Sequence, residues 1–127
     1  EIEHDRGLAG HSDADVLSHA VIDALLGAAG LGDIGEQFPD TDETWRDADS
    51  LDLLRTVLGQ LPGAVMNVDA TVICEEPRLG PYRAEMERNL REALGAPASV
   101  KATSNEGMGW IGRGEGIACI AVALVEM

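Results

Sequence analysis

A single α/β or α+β domain, with amphipathic helices laid on one sheet, is the fold class this sequence predicts. Three observations point there. Apolar residues recur at helical spacing near 12–29, 50–61 and 81–94, while period-two alternation or short apolar runs mark strands near 65–75, 99–103 and 117–125. No repeat, linker or low-complexity stretch separates these segments, so they belong to one layered unit. With 127 residues, 45% of them apolar, the chain suffices for one cooperative core and no more.

The first helix carries Val16, Leu17, Ala20, Val21, Ala24 and Leu25 on one face, with Ser12 or Asp13 as N-cap and Gly30 and Gly32 beyond its end. Gly32-Asp33-Ile34-Gly35 and Phe38-Pro39-Asp40-Thr41-Asp42 are rich in turn formers and predict a long loop. The second helix turns Leu51, Leu54, Val57, Leu58 and Leu61 inward until Pro62-Gly63 stops it. From Val65 to Glu75, the residues Met66, Val68, Ala70, Val72 and Cys74 alternate with Asn67, Asp69, Thr71, Ile73 and Glu75, as in a half-buried strand. The third helix, Pro81 to Leu94, turns Met86, Leu90, Ala93 and Leu94 inward and is followed by Gly95 as C-cap. Ser99 to Thr103 reads as a short strand, and the unbroken apolar run Ile117 to Val125 as one buried on both faces, central or interfacial.

Nine basic residues against twenty-three acidic ones leave a charge of -14, which opposes capture of nucleic acid or of an anionic membrane surface. An anionic ligand must therefore be drawn in by divalent ions, helix N-termini or a few placed cations. Cys74 and Cys119 stand alone in strand-like runs, without a CxxC pair, and read as reduced and buried. Neither a membrane-length apolar run nor a basic leader is present, so a soluble, cytoplasmic protein is expected.

Several clusters could carry chemistry. Asp15, His19 and Asp23 step by four along the first helix, so a carboxylate can reach His19 from either side, as in a metal site or in plain surface pairs. His11-Ser12 at the expected helix start could donate to a phosphate, or Ser12 could simply cap the helix. Asp33, Asp40 and Asp42 suit polyol hydroxyls, or they serve only loop solvation and turns. Thr103-Ser104-Asn105-Glu106 offers two hydroxyls and a carboxylate, a corner for a hard cation bridging phosphates or a polar turn. Gly107, Gly109, Gly112, Gly114 and Gly116 surround Trp110 and Arg113 without forming a phosphate-loop or dinucleotide fingerprint. Pro77-Arg78-Leu79-Gly80-Pro81 is a rigid connection whose backbone could read the edge of a base or bind nothing. No Ser-His-Asp, Cys-His or H-E-x-x-H signature supports covalent or zincin chemistry.

The ordered blocks together resemble the 2-C-methyl-D-erythritol 2,4-cyclodiphosphate synthase family. They are Gly10-His11-Ser12-Asp13-Ala14-Asp15-Val16-Leu17-Ser18-His19-Ala20, Asp23-Ala24-Leu25-Leu26-Gly27-Ala28, Gly32-Asp33-Ile34-Gly35, Phe38-Pro39-Asp40-Thr41-Asp42, Asn67-Val68-Asp69, Lys101-Ala102-Thr103 and Gly112-Arg113-Gly114-Glu115-Gly116-Ile117-Ala118. The resemblance covers nearly the whole chain and implies one domain over residues 1–127, a ferredoxin-like α+β sandwich of helices on a mixed sheet. It further implies a homotrimer around an apolar cavity, with active sites between subunits. The implied reaction cyclises 4-diphosphocytidyl-2-C-methyl-D-erythritol 2-phosphate to the 2,4-cyclodiphosphate and releases CMP, in the non-mevalonate route to isoprenoids.

Residue roles follow from the same resemblance. His19 matches a zinc ligand, and Glu106 the residue binding magnesium or manganese between the diphosphate phosphates. His11 and Ser12 match a mobile loop that contacts phosphate and steadies the transition state, and His11 and Ser104 match the catalytic positions. Thr103, Ser104 and Asn105 match the diphosphate-binding segment, Ser104 standing where Thr is usual; Trp110 and Arg113 match positions near the phosphates and the trimer axis. Asp33, Ile34 and Gly35, with Phe38, Pro39, Asp40, Thr41 and Asp42, match the erythritol-binding segments. Cys74, Glu75, Glu76, Pro77, Arg78, Leu79 and Gly80 match the cytidine pocket, where Arg78 replaces the usual Lys.

The resemblance also implies two zinc ligands from an Asp-x-His pair on an initial strand, and no Asp-x-His occurs here. Either that strand precedes Glu1, as the absence of an initiator methionine suggests, or the zinc site is lost. A different-class alternative is a non-catalytic trimeric module that keeps the cytidine pocket and binds nucleotide or isoprenoid. A third is the synthase half of a fusion to a cytidylyltransferase.

Overall fold

Strong helical and strand periodicities settle most of the architecture. The structure, a computed structural model, describes residues 2–38, 50–73, 80–103 and 118–126, of which 2–14 and 80–81 are described as backbone. In chain order the elements are α1 (Ile2–Ala29), α2 (Ile34–Gln37), α3 (Ser50–Gln60), β1 (Val65–Ile73), α4 (Gly80–Leu94), β2 (Ala98–Thr103) and β3 (Ala118–Val125). The described strands form one mixed sheet in the order β2-β1-β3, with β1 parallel to β2 and antiparallel to β3. This is the α+β arrangement expected, with α4 as the crossover that a parallel pair requires.

Alternation along β1 sends Val68, Ala70 and Val72 into the core, where they meet Val100 and Ala98 of β2. Helix α1 supplies Leu17, Val21, Ile22, Leu25 and Leu26, α3 supplies Leu53, Leu54 and Val57, and α4 supplies Met86, Leu90 and Leu94. Glycines terminate two helices as the sequence requires. Gly30, at φ 70°, closes α1 with Leu31 N–H donating to Leu26 O (2.9 Å) and Gly30 N–H to Gly27 O (3.2 Å). Gly95, at φ 63°, ends α4 with a single bond from its amide to Arg91 O (2.9 Å).

Three expectations are corrected. Helix α1 does not start at Ser12 or Asp13 but runs from Ile2, so residues 11 and 12 lie in its interior. Gly7 and Gly10 each cost such a helix only about 1 kcal/mol, and no proline interrupts it. Their backbone amides are therefore not the terminal, unpaired donors that a helix-start phosphate site needs. Second, Ile34–Gln37 is a helical turn rather than loop, because the Asp33 carboxylate accepts from Glu36 N–H (2.9 Å) and caps it.

Third, of the two places expected for β3, the central one is overturned: β3 is an edge strand among those described, and β1 is the central one. Ala121 and Ala123 pack toward the core, whereas Ile120, Val122 and Leu124 are 63%, 65% and 60% exposed. An apolar run marks both faces as apolar without revealing that the same chain covers only one of them. Cys119, half-buried in β3, is a free thiol whose pKa burial pushes up to about 11; Cys74 lies outside the described residues. No helix among the described residues is long and apolar enough to cross a membrane.

Among the described residues, the outer edge of β2 is met by side chains of α4 and by no further strand. Glu87 accepts from Val100 N–H (2.9 Å), Arg83 donates to Val100 O (3.1 Å), and Arg91 donates to Ala98 O (2.8 Å). The two guanidiniums also flank the carboxylate, each at 3.1 Å. Three backbone groups of an edge strand are thereby satisfied. The Val100 amide, then Arg91 and Arg83, hold the Glu87 carboxyl below its ordinary value of 4.5 against the opposing effect of burial. A depressed folded value means that this stabilisation is complete above 4.5 and is lost as pH falls from there through the lower folded value. Urea midpoints measured from neutral pH downward should fall more steeply for the wild type than for Glu87→Gln. Equal slopes would contradict the assignment.

Candidate active site at one end of the sheet

Strand register places the candidate site. Ile73, the last residue of β1, pairs with Thr103, the last of β2, and with Ala118, the first of β3. The chain therefore leaves the sheet at Ile73 and Thr103 and re-enters it at Ala118 in one row, at the carboxyl end of the parallel pair. Segment 74–80 is tethered there, and so is 104–117. Between them these segments hold Cys74, Glu75, Glu76, Pro77, Arg78, Leu79 and Gly80, and Ser104, Asn105, Glu106, Trp110 and Arg113. In open sheets with parallel strands, ligands bind in the crevice outside the carboxyl ends of those strands. Residues 74–79 and 104–113 themselves lie outside the described residues, as do Pro39, Asp40, Thr41 and Asp42. Thr103 is exposed at the end of β2.

Helix α1 positions a second group. His19 is exposed there, with Asp15 and Asp23 one helical turn to either side. Each carboxylate has a distant partner: Asp15 accepts from the buried Ser50 hydroxyl (2.6 Å) at the start of α3, and Asp23 accepts from Ile34 N–H (2.8 Å). The stripe that the sequence suggests would flank His19 thus also fastens α3 and the 33–36 turn to α1. These bonds span 35 and 11 residues, so periodicity had no access to them.

Of the expected polyol-binding residues, Asp33 and Gly35 are exposed and Ile34 is half-buried. Phe38 is buried in the core, so its ring anchors the point from which residues 39–42 depart. His11 and Ser12 are helical in backbone. Among the described residues no three His, Cys, Asp or Glu side chains gather as a metal site would require, and His19 is a single imidazole. A tetrahedral zinc site takes three protein ligands and a water, so any ion at His19 needs further ligands from outside the described residues.

A mixed sheet whose carboxyl end tethers hydroxyl-, carboxylate- and glycine-rich segments marks a candidate small-molecule site of an α+β protein. The chain belongs to the YgbB family, which matches residues 1–126. It is 55% identical to the 2-C-methyl-D-erythritol 2,4-cyclodiphosphate synthase of Salinibacter ruber, over 99% of this chain and 84% of that protein. It is 59% identical to the synthase of the same name from Rubrobacter xylanophilus, over 98% of this chain and 79% of that one. A solved 2C-methyl-D-erythritol-2,4-cyclodiphosphate synthase in a CDP-bound form superposes with a TM-score of 0.78 at 30% identity. That match covers 86% of this chain and 74% of the other.

Proposed function

We propose that this chain cyclises 4-diphosphocytidyl-2-C-methyl-D-erythritol 2-phosphate to 2-C-methyl-D-erythritol 2,4-cyclodiphosphate, releasing CMP, as a phosphorus–oxygen lyase. The observation that carries this reading is the single row formed by Ile73, Thr103 and Ala118, at which the chain enters and leaves the cytidine-type and diphosphate-type segments. Relatives of the same name, matched over nearly the whole chain, and a relative solved with CDP support it. In the reaction an oxygen of the 2-phosphate forms a bond to the β-phosphorus while the bond from that phosphorus to the CMP oxygen breaks. No covalent enzyme intermediate is needed, so the protein's tasks are alignment and charge neutralisation.

Each segment has a role under this reading. Residues 74–80 hold the cytidine, Arg78 supplying a cation. Thr103, Ser104 and Asn105 donate to the diphosphate, and Asp33 to Gly35 with Phe38 to Asp42 hold the polyol. His11 and Ser12 contact phosphate from α1, His11 and Ser104 steadying the transition state, while Trp110 and Arg113 border the phosphates.

The chain's charge of -14 makes neutralisation the harder task, and the divalent ions that the resemblance implies would answer it. The donor types fit: an imidazole at His19 suits zinc, and a carboxylate at Glu106 suits magnesium or manganese. Such ions would offset the repulsion between the phosphates. Mixing the full-length protein with the diphosphocytidyl substrate and divalent ions should give CMP and the cyclic diphosphate by phosphorus NMR. Binding of CMP without turnover would instead indicate a non-catalytic binding module and refute the reading.

Assembly as a trimer with sites between subunits belongs to the same proposal. Ile120, Val122 and Leu124 pair across from Thr71, Asp69 and Asn67, so they share the sheet face turned away from the helices. Covering each aliphatic side chain contributes on the order of 1 kcal/mol or more, and an exposed apolar edge strand otherwise invites aggregation. Sedimentation of the full-length protein should report three chains, and Val122→Glu, which places a charge on that face, should report one. A Val122→Glu protein that remained trimeric would contradict this use of β3.

A further inference from the structure

Glu87 lies outside every segment assigned a part in the reaction, yet its side chain is only 16% exposed and meets three partners. Helix α4 begins at Gly80, the last residue of the cytidine-type segment, and Arg83 follows three residues later. Strand β2 ends at Thr103, and Val100 stands three residues before it. Arg83 and Glu87 bind Val100 while Arg91 binds Ala98, so α4 and β2 are fastened along the stretch that leads to the candidate site.

We propose that Glu87, held between Arg83 and Arg91, is a positioning residue for the cyclisation. By accepting from Val100 N–H it sets how far β2 extends past α4, and so the placement of the diphosphate-binding end at Thr103 against the nucleotide-binding end at Gly80. The outer edge of β2 has no neighbouring strand among those described. Pairing with β1 fixes one edge of β2, but nothing in that ladder fixes β2 against α4. The clamp supplies that second constraint through bonds with defined directions, which apolar packing between α4 and β2 lacks. An in-line transfer between two phosphates held from different elements is sensitive to this distance, since a displacement of about 1 Å can cost about a hundredfold in rate.

The proposal rests on the reading of function above, and kinetics of the full-length, metal-loaded enzyme test it. Glu87→Ala should lower kcat by roughly tenfold or more while calorimetry finds the affinity for CMP alone within about twofold of wild type, because each half-site survives and only their relation changes. Glu87→Gln keeps an oxygen that accepts from Val100 N–H and should recover most of the lost kcat. If Glu87→Ala does not fold, Glu87→Asp, one methylene shorter, should show the same split between kcat and CMP affinity. An active wild type with an unimpaired Glu87→Ala variant, or CMP affinity that falls in step with kcat, overturns this assignment alone. An inactive wild type overturns the functional reading and the assignment with it.

Discussion

Everything in this molecule depends on how β1 pairs with its two neighbours. One parallel and one antiparallel ladder bring Ile73, Thr103 and Ala118 into a row, so one chain exit, a second exit and one return occur at the same edge. Hydrogen bonds and buried alternation hold that register: a slip of one residue would turn Val68, Ala70 and Val72 out of the core. The buried face of the sheet and the candidate site at its end are therefore consequences of one pairing. Stability and site geometry cannot be varied independently along β1.

Around this register, side chains rather than backbone connect the helices to the site. Asp23 joins α1 to the 33–36 turn, Asp15 joins it to Ser50 of α3, and Glu87 with its two arginines joins α4 to β2. All three carboxylates accept from backbone amides or a buried hydroxyl, and so fix the elements they join. A chain with twenty-three acidic residues thus uses some of its excess as internal fastening. Under the proposed function, what remains unneutralised is what divalent ions would offset when a diphosphate binds.

The sequence makes much of this visible and hides the rest for physical reasons. Helices α3 and α4 and strands β1 and β2 begin and end within a residue or two of expectation, because their apolar periods and their Gly and Pro stops are local signals. The rank of β3 was not legible, since Ile120, Val122 and Leu124 read the same whether the same chain or another molecule covers them. The start of α1 is hidden because Ser12 resembles a cap in isolation and sits inside a helix in context. Arg83, Glu87 and Arg91 show a recognisable spacing of four, but only the neighbouring edge of β2 distinguishes a clamp from an ordinary solvated face. The family resemblance supplied residue roles that spacing alone left open, and family membership agrees with it.

The central claim is that nucleotide and diphosphate are held at the carboxyl end of β1 and β2. Amide resonances of the full-length, metal-loaded protein followed during a CDP titration test it most directly. The account predicts that Ile73, Gly80, Thr103 and Ala118 shift together while Val65, Ala98 and Val125 at the opposite end stay in place. Shifts confined to Val65, Ala98 and Val125 would contradict it.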